Sequence, residues 1–215
     1  QCLTFDFGNS LTLKSSVVDL FKQKAVITAS LTLMTILFSI LISFPLGYLA
    51  GGKHNKKIGS FIDSLSLTFI SVPEFLIGLI IMLIFSLKLG WLPSFGAASL
   101  KHFILPTLTV SLTSAAGLLR LTRSAMLETI RQEYIRTAKA KGASGKRVIW
   151  KHALRNALLP VVTALGTGFG ASLGGAIIAE TVFAMPGMGT LMTTAIRQKD
   201  IPMVMGATLF LAVLF

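Results

Sequence analysis

The chain has one cysteine in 215 residues, Cys2, so it can form no internal disulfide. It has little negative charge, eight Asp and Glu against twenty Lys and Arg, and only 13% of its residues are charged. A soluble domain of this size carries about 25%. Its three histidines, His54, His102 and His152, are scattered at the edges of apolar runs. An intramembrane enzyme needs a nucleophile and base, or metal ligands, at one depth, and this scatter does not supply them. No HExxH, GxSxG or CxxC pattern occurs, and no P-loop, so any ATP hydrolysis belongs to another chain. The sequence begins at Gln1 rather than Met and stops at Phe215 inside an apolar run, so both ends read as cut; no signal peptide is visible.

What is abundant is apolar surface. Hydrophobic residues make up 53% of the chain and mean hydropathy is +0.78. A membrane helix needs about 20 apolar residues. Uncharged runs cover Ala25 to Gly52, Phe103 to Leu119 and Asn156 to Ala179, and a further run begins at Ile201. The stretch between Asp63 and Lys88 is interrupted only by Glu74. The chain therefore reads as five spans, the last truncated. All should be helices, because an open sheet leaves backbone groups unsatisfied in lipid and a barrel would show short alternating strands. Gly166, Gly170 and Gly174 stand four apart, which lets a neighbouring helix approach closely for bundle packing or for gating.

The net charge of +12 then has a topological explanation. If the spans alternate, thirteen Lys and Arg lie in the segments 51–60 and 120–155 on one side, and seven lie on the other. The richer side is cytoplasmic. Residues 1–24 form an extracytoplasmic segment, 25–215 a transmembrane domain, and 180–200 an outer loop. No nucleic acid is required.

Residues 128–155 are too polar to span and too long for a tight turn. Glu128 to Lys141 has no Gly or Pro, and Ile130, Tyr134, Ala138 and Lys141 follow helical spacing with a largely apolar face. Gly142 to Gly145 should end that helix, and Lys146 to Arg155 can form a second short one. Such an element can dock in a soluble partner and transmit its motion, or lie on anionic headgroups.

Tyr134-Ile-Arg-Thr-Ala-Lys-Ala-Lys-Gly142 followed by Lys151-His-Ala-Leu-Arg-Asn-Ala-Leu-Leu-Pro160 resembles the cytoplasmic loop of binding-protein-dependent ABC permeases, in particular the dipeptide, oligopeptide and nickel branch. Asp6-Phe-Gly-Asn-Ser10, Gly90-Trp-Leu-Pro93, Glu180 to Gly189 and Asp200-Ile-Pro202 are similar to that branch in the same order. The general family pattern has a Glu where this chain has Arg136, and an Ile-x-Leu-Pro where it has His152 to Arg155; both departures point to the peptide and nickel branch.

The resemblance implies an all-α integral membrane bundle of six spans when whole, with a coupling-helix loop. It implies a permease forming half of a pathway for peptides, nickel or another small solute, in a prokaryotic inner or plasma membrane. The partners would be a second permease, two ATP-binding subunits or domains holding ATP and Mg, and an extracytoplasmic solute-binding protein. The chain itself would be no enzyme and would hold no cofactor. Tyr134, Arg136, Thr137, Ala138, Lys139, Ala140, Lys141 and Gly142 would meet the ATP-binding subunit, with Gly142 permitting the turn. The rival reading is a secondary transporter driven by an ion gradient, a class that often shows paired repeats absent here.

Other residues carry alternatives. Glu74 follows Pro73 inside a span and either lines the pathway, favouring cationic solutes, or packs at a kink. Arg120 and Arg123 mark the cytoplasmic interface or pair with Glu128. Glu180 and Asp200 border the outer loop and either touch the binding protein or are ordinary loop residues. Met185, Met188 and Met192 form either a soft-metal stripe or flexible packing.

Overall fold

A computed structural model describes residue 10, residues 15–51 and residues 56–214. Every regular element of any length among them is helical. The helices are α1 (Val17–Gly51), α2 (Lys56–Ser71), α3 (Glu74–Ile81), α4 (Leu100–Ile130), α5 (Glu133–Ala140), α6 (Gly145–Arg147), α7 (Leu154–Val182), α8 (Met188–Arg197) and α9 (Ile201–Leu214). π-Helical stretches, Met82–Lys88 and Val148–Ala153, extend α3 and join α6 to α7.

Burial is inverted relative to a water-soluble helix. The buried stripe of α1 is small and hydroxylated: Thr28, Thr32, Thr35, Ser39 and Ser43. Its large apolar residues, Leu33, Leu37, Phe38 and Leu41, point outward and are 43–67% exposed. Thr32 donates its hydroxyl to Thr28 C=O at 2.8 Å, so the stripe satisfies part of its own polarity. Small residues let membrane helices approach, while lipid tails solvate the leucines. Among the described residues two helices, Val17–Ala50 and Leu100–Ile130, are long and apolar enough to cross a membrane by themselves. The pair Gly59–Ser71 and Glu74–Lys88, broken at Pro73, makes a third if it counts as one span; Ile201–Val213 is apolar but shorter. α1 spans about 50 Å and begins at Val17, so residues 17–24, expected in the outer segment, are its first two turns.

Two compact units share these helices. The first contains Gln1–Thr35, Glu74–Val110 and Phe169–Phe215. One of its cores joins Leu31, Met82, Leu105, Ala179, Phe183 and Met185; the other joins Val17, Phe21, Met188, Met203 and Ala207. At Gly78 an added Cβ would lie 3.1 Å from Thr109 and 3.4 Å from Phe183, so α3 and α4 touch through a glycine. The methionines divide between the two cores, Met185 in the first and Met188 with Met192 in the second, which is packing and not a shared stripe. Among the described residues no His, Cys, Asp and Glu group could hold a metal.

The second unit contains Ile36–Pro73 and Ser111–Gly168. Gly47 lies so close to α4 that a Cβ would approach Thr122 to 2.7 Å. Arg123 pairs with Asp63 at 2.5 Å and donates from Nε to Ala50 C=O at 3.2 Å, tying α4 to α2 and α1. Its partner is thus Asp63 and not Glu128. Among the described residues no neighbour would meet a Cβ at Gly166.

Candidate functional site

The polar stretch after α4 does not form one helix from Glu128 to Lys141. α4 ends at Ile130, and Gln132 is extended at φ −68°, ψ 149° before α5 starts. The reason is packing. Ile135, fully buried, joins a core with Met126, Val148, Ala153 and Ala157, and α5 has to turn back to bring it there. The buried face of α5 is therefore centred on Ile135 and Ala138, while Tyr134, expected on that face, is 43% exposed.

The far end of α5 is closed by backbone hydrogen bonds. Gly142 N donates to Lys139 C=O at 2.9 Å and Ala143 N to Ala138 C=O at 3.1 Å. This is a Schellman cap, whose penultimate position is left-handed, and Gly142 has φ +80°. Ser144 then accepts at Oγ from Arg147 N at 3.4 Å and starts α6. From Gly145 the chain is helical through the π-helical stretch into α7, so the expected second short helix is the first part of a longer one.

Of the residues expected to meet a partner here, Arg136, Thr137, Lys139, Ala140, Lys141 and Gly142 are exposed with Tyr134, and Ala138 is half-buried against the core. Arg136 pairs with Glu133 at 2.9 Å on the surface, a contact of small energetic worth. Trp150 is 60% exposed and its ring lies 5.3 Å from Tyr48. The result is a capped knob: one buried isoleucine anchors it and a cationic, partly aromatic surface faces outward.

The acidic candidates lie in the first unit. Glu180 is fully buried. Its carboxylate accepts from the Thr28 hydroxyl, from Gly189 N at 2.7 Å and from Thr190 N at 3.2 Å. Thr28 Oγ1 in turn accepts from Met188 N at 2.8 Å. Glu180 thus caps the N-terminus of α8, where unpaired N–H groups and the helix dipole favour an anion. A Cβ at Gly187 would collide with this carboxylate, which accounts for the glycine. Asp200, 2% exposed, does the same for α9: Oδ1 accepts from Met203 N at 3.3 Å, and Oδ2 accepts from the Ser10 hydroxyl. Both carboxylates, read from the sequence either as contact groups or as ordinary loop residues, are buried and cap the helices that follow them. Residues 6–9 of the Asp6–Ser10 motif lie outside the described residues, but Ser10 joins that motif to Asp200.

Glu74 opens α3 directly after Pro73 and is half-buried, on the face that also buries Ile77 and Gly78. Its Oε1 is buried with no hydrogen-bond partner among the described residues. Sequence reading missed Thr28, Asp63 and Ser10 as partners of Glu180, Arg123 and Asp200. Each pair is far apart in sequence, and no local pattern marks it.

Residues 43–215 match the family of binding-protein-dependent transport system inner membrane components. The chain belongs to this family. The permease is 38% identical over 210 residues to the glutathione transport system permease protein GsiC of Salmonella paratyphi A, covering 98% of this chain and 69% of that one. It is 36% identical, over the same shares, to GsiC of Escherichia coli K12. In fold it resembles a chain of the inward-facing MetNI methionine ABC transporter, with a TM-score of 0.74 and 19% identity over 90% of this chain and 89% of that one. It also resembles a chain of an amino acid ABC transporter, with a TM-score of 0.68 and 15% identity over 92% and 86%. The permease is accordingly a membrane subunit of an ABC importer of the dipeptide and oligopeptide type, and its relatives are permease components rather than enzymes.

Proposed function

We propose that this permease forms half of the translocation path for a small peptide delivered by an extracytoplasmic binding protein. Power would come from ATP and Mg bound in two separate ATP-binding subunits, and a second, homologous permease would complete the path. The peptide class is favoured over nickel by the glutathione named in its relatives, since glutathione is itself a tripeptide. The observation that carries the coupling is the knob of residues 133–142. It is anchored by Ile135, ended by the Gly142 cap, and exposes Tyr134, Arg136, Lys139 and Lys141. A lever of this kind can pass a partner's movement to α4 and α7, which flank it in the chain. In full the subunit would carry five spans over this stretch, six in the whole protein, in a prokaryotic inner membrane, with the knob cytoplasmic by its charge. Glu74 would line the path and favour solutes with a protonated amine. Glu180 and Asp200 would act on the binding protein indirectly, by fixing the loop that meets it.

The test is uptake into proteoliposomes holding the assembled transporter, with glutathione and a dipeptide as probes. Uptake should require ATP and the binding protein and should ignore imposed ion gradients. Uptake by the permease alone, driven by an ion gradient, would overturn the reading in favour of a secondary transporter.

A further inference from the structure

Beside the exposed edge of the knob lies a concavity of about 430 Å³, bounded by Tyr134, Thr137, Lys141, Gly142, Arg147 and His152. Its shape follows from the two caps already described. The Gly142 turn reverses the chain at the end of α5, and Ser144 starts α6 at once, so the π-helical stretch Val148–Ala153 returns against α5. The apolar residues Ala138 and Ala143 contribute to its wall and rest on the core around Ile135 and Val148. Among the described residues no carboxylate lines it. The one acid of α5, Glu133, is engaged by Arg136 and is not part of the wall. Among the described residues neither Lys141 nor Arg147 has a side-chain hydrogen bond or ion pair.

Two cations with no side-chain partner among the described residues, an imidazole and a phenol around an apolar-backed hollow define the chemistry of an occupant. It must carry negative charge, accept several hydrogen bonds, and have an apolar stem to cover the alanines. Arg147 can grip a carboxylate through two parallel N–H groups, and Lys141 can add a point charge. A lipid headgroup fits less well, because an amphipathic helix lying on a membrane needs an apolar face to bury, and the apolar face of α5 is already spent on Ile135 and its core.

We propose that this concavity seats an Asp or Glu side chain of the ATP-binding subunit, so that the knob both inserts into that subunit and receives from it. The inference rests on the function proposed above and adds the chemistry of the contact. A reciprocal, charge-paired contact resists being pulled apart as well as being pushed, which a lever working in both directions needs.

The experiment is titration of the purified cognate ATP-binding subunit onto the full-length permease pair in nanodiscs, at about 50 and about 300 mM salt. Lys141→Gln with Arg147→Gln removes two charges inside the concavity; Lys146→Gln with Lys151→Gln removes two outside it. The inside pair should weaken binding at low salt by about tenfold or more and flatten the salt dependence, and the outside pair should keep most of that dependence. Equal effects of both pairs overturn the proposal while leaving the proposed function standing. Failure of the unaltered permease to bind the subunit at all removes both. Phosphate that displaces the subunit better than chloride of the same ionic strength also overturns it, by making the hollow a site for small anions.

Discussion

At the scale of single residues, the two buried carboxylates Glu180 and Asp200 are positioning groups. Glu180 accepts from two backbone N–H groups and a hydroxyl. Glu180→Gln keeps the size but turns an amide N–H₂ toward at least one donor. It should cost about 2 kcal/mol, the worth of charged hydrogen bonds lost together with a buried group left unpaired. Thermal unfolding of the detergent-solubilised transporter measures this, and an unchanged midpoint would show that α8 needs no carboxylate cap. Glu74 is the opposite case, a carboxylate oxygen buried without a donor among the described residues. Glu74→Gln should lower uptake of amine-bearing solutes several-fold while the ATP-binding subunit still co-purifies. Uptake equal to the unaltered transporter would return Glu74 to a packing role at the Pro73 break.

At the scale of elements, three helix ends use one device. α5, α7 and α8 each place a left-handed residue just past the helix: Gly142 at φ +80°, Ala184 at +46° and Lys199 at +56°. In all three the next N–H reaches back to the carbonyl five residues earlier: Ala143 to Ala138, Met185 to Glu180 and Asp200 to Ala195. Glycine alone takes that conformation without steric cost, and other L-residues pay about 1 kcal/mol or more. Lys199→Gly should therefore raise stability by roughly 0.5–1 kcal/mol, part of the relief being offset by a freer unfolded chain. A lower unfolding midpoint would mean that the lysine side chain contributes more than the strain it imposes. The same reasoning explains why only the α5 cap was readable beforehand. There the residue is glycine and announces the turn, whereas Ala184 and Lys199 give no such signal.

At the scale of the whole molecule, the coupling reading makes Gly142 the sensitive point. No neighbour would meet a Cβ there, so a substitution disturbs the chain mainly through φ and through whatever the partner places against it. Gly142→Asn, whose side chain tolerates the left-handed region, should fold normally. Gly142→Asp adds a charge beside Lys141 and should uncouple ATP hydrolysis from transport and weaken binding of the ATP-binding subunit. Measured together, uptake and ATPase activity separate the effects; normal co-purification with full uptake in Gly142→Asp would refute the coupling role.

The sequence by itself determined the membrane setting, the helical class, the family and the place of the polar, cationic stretch between α4 and α7. These follow from features that are local: uncharged runs, charges between them, and motifs whose residues are neighbours in the chain. It also held the buried hydroxyl stripe of α1, spaced three and four apart, though hydropathy hides it because Thr and Ser inside an apolar run read as mere dilution. Only the tertiary structure decided where α4 stops, since the break at Gln132 exists to bury Ile135 and not because of any helix-breaking residue. Only it decided that Glu180 and Asp200 turn inward and that Arg123 meets Asp63. A charge acquires its role from the donors or acceptors around it, and here those lie 152, 190 and 60 positions away in the chain.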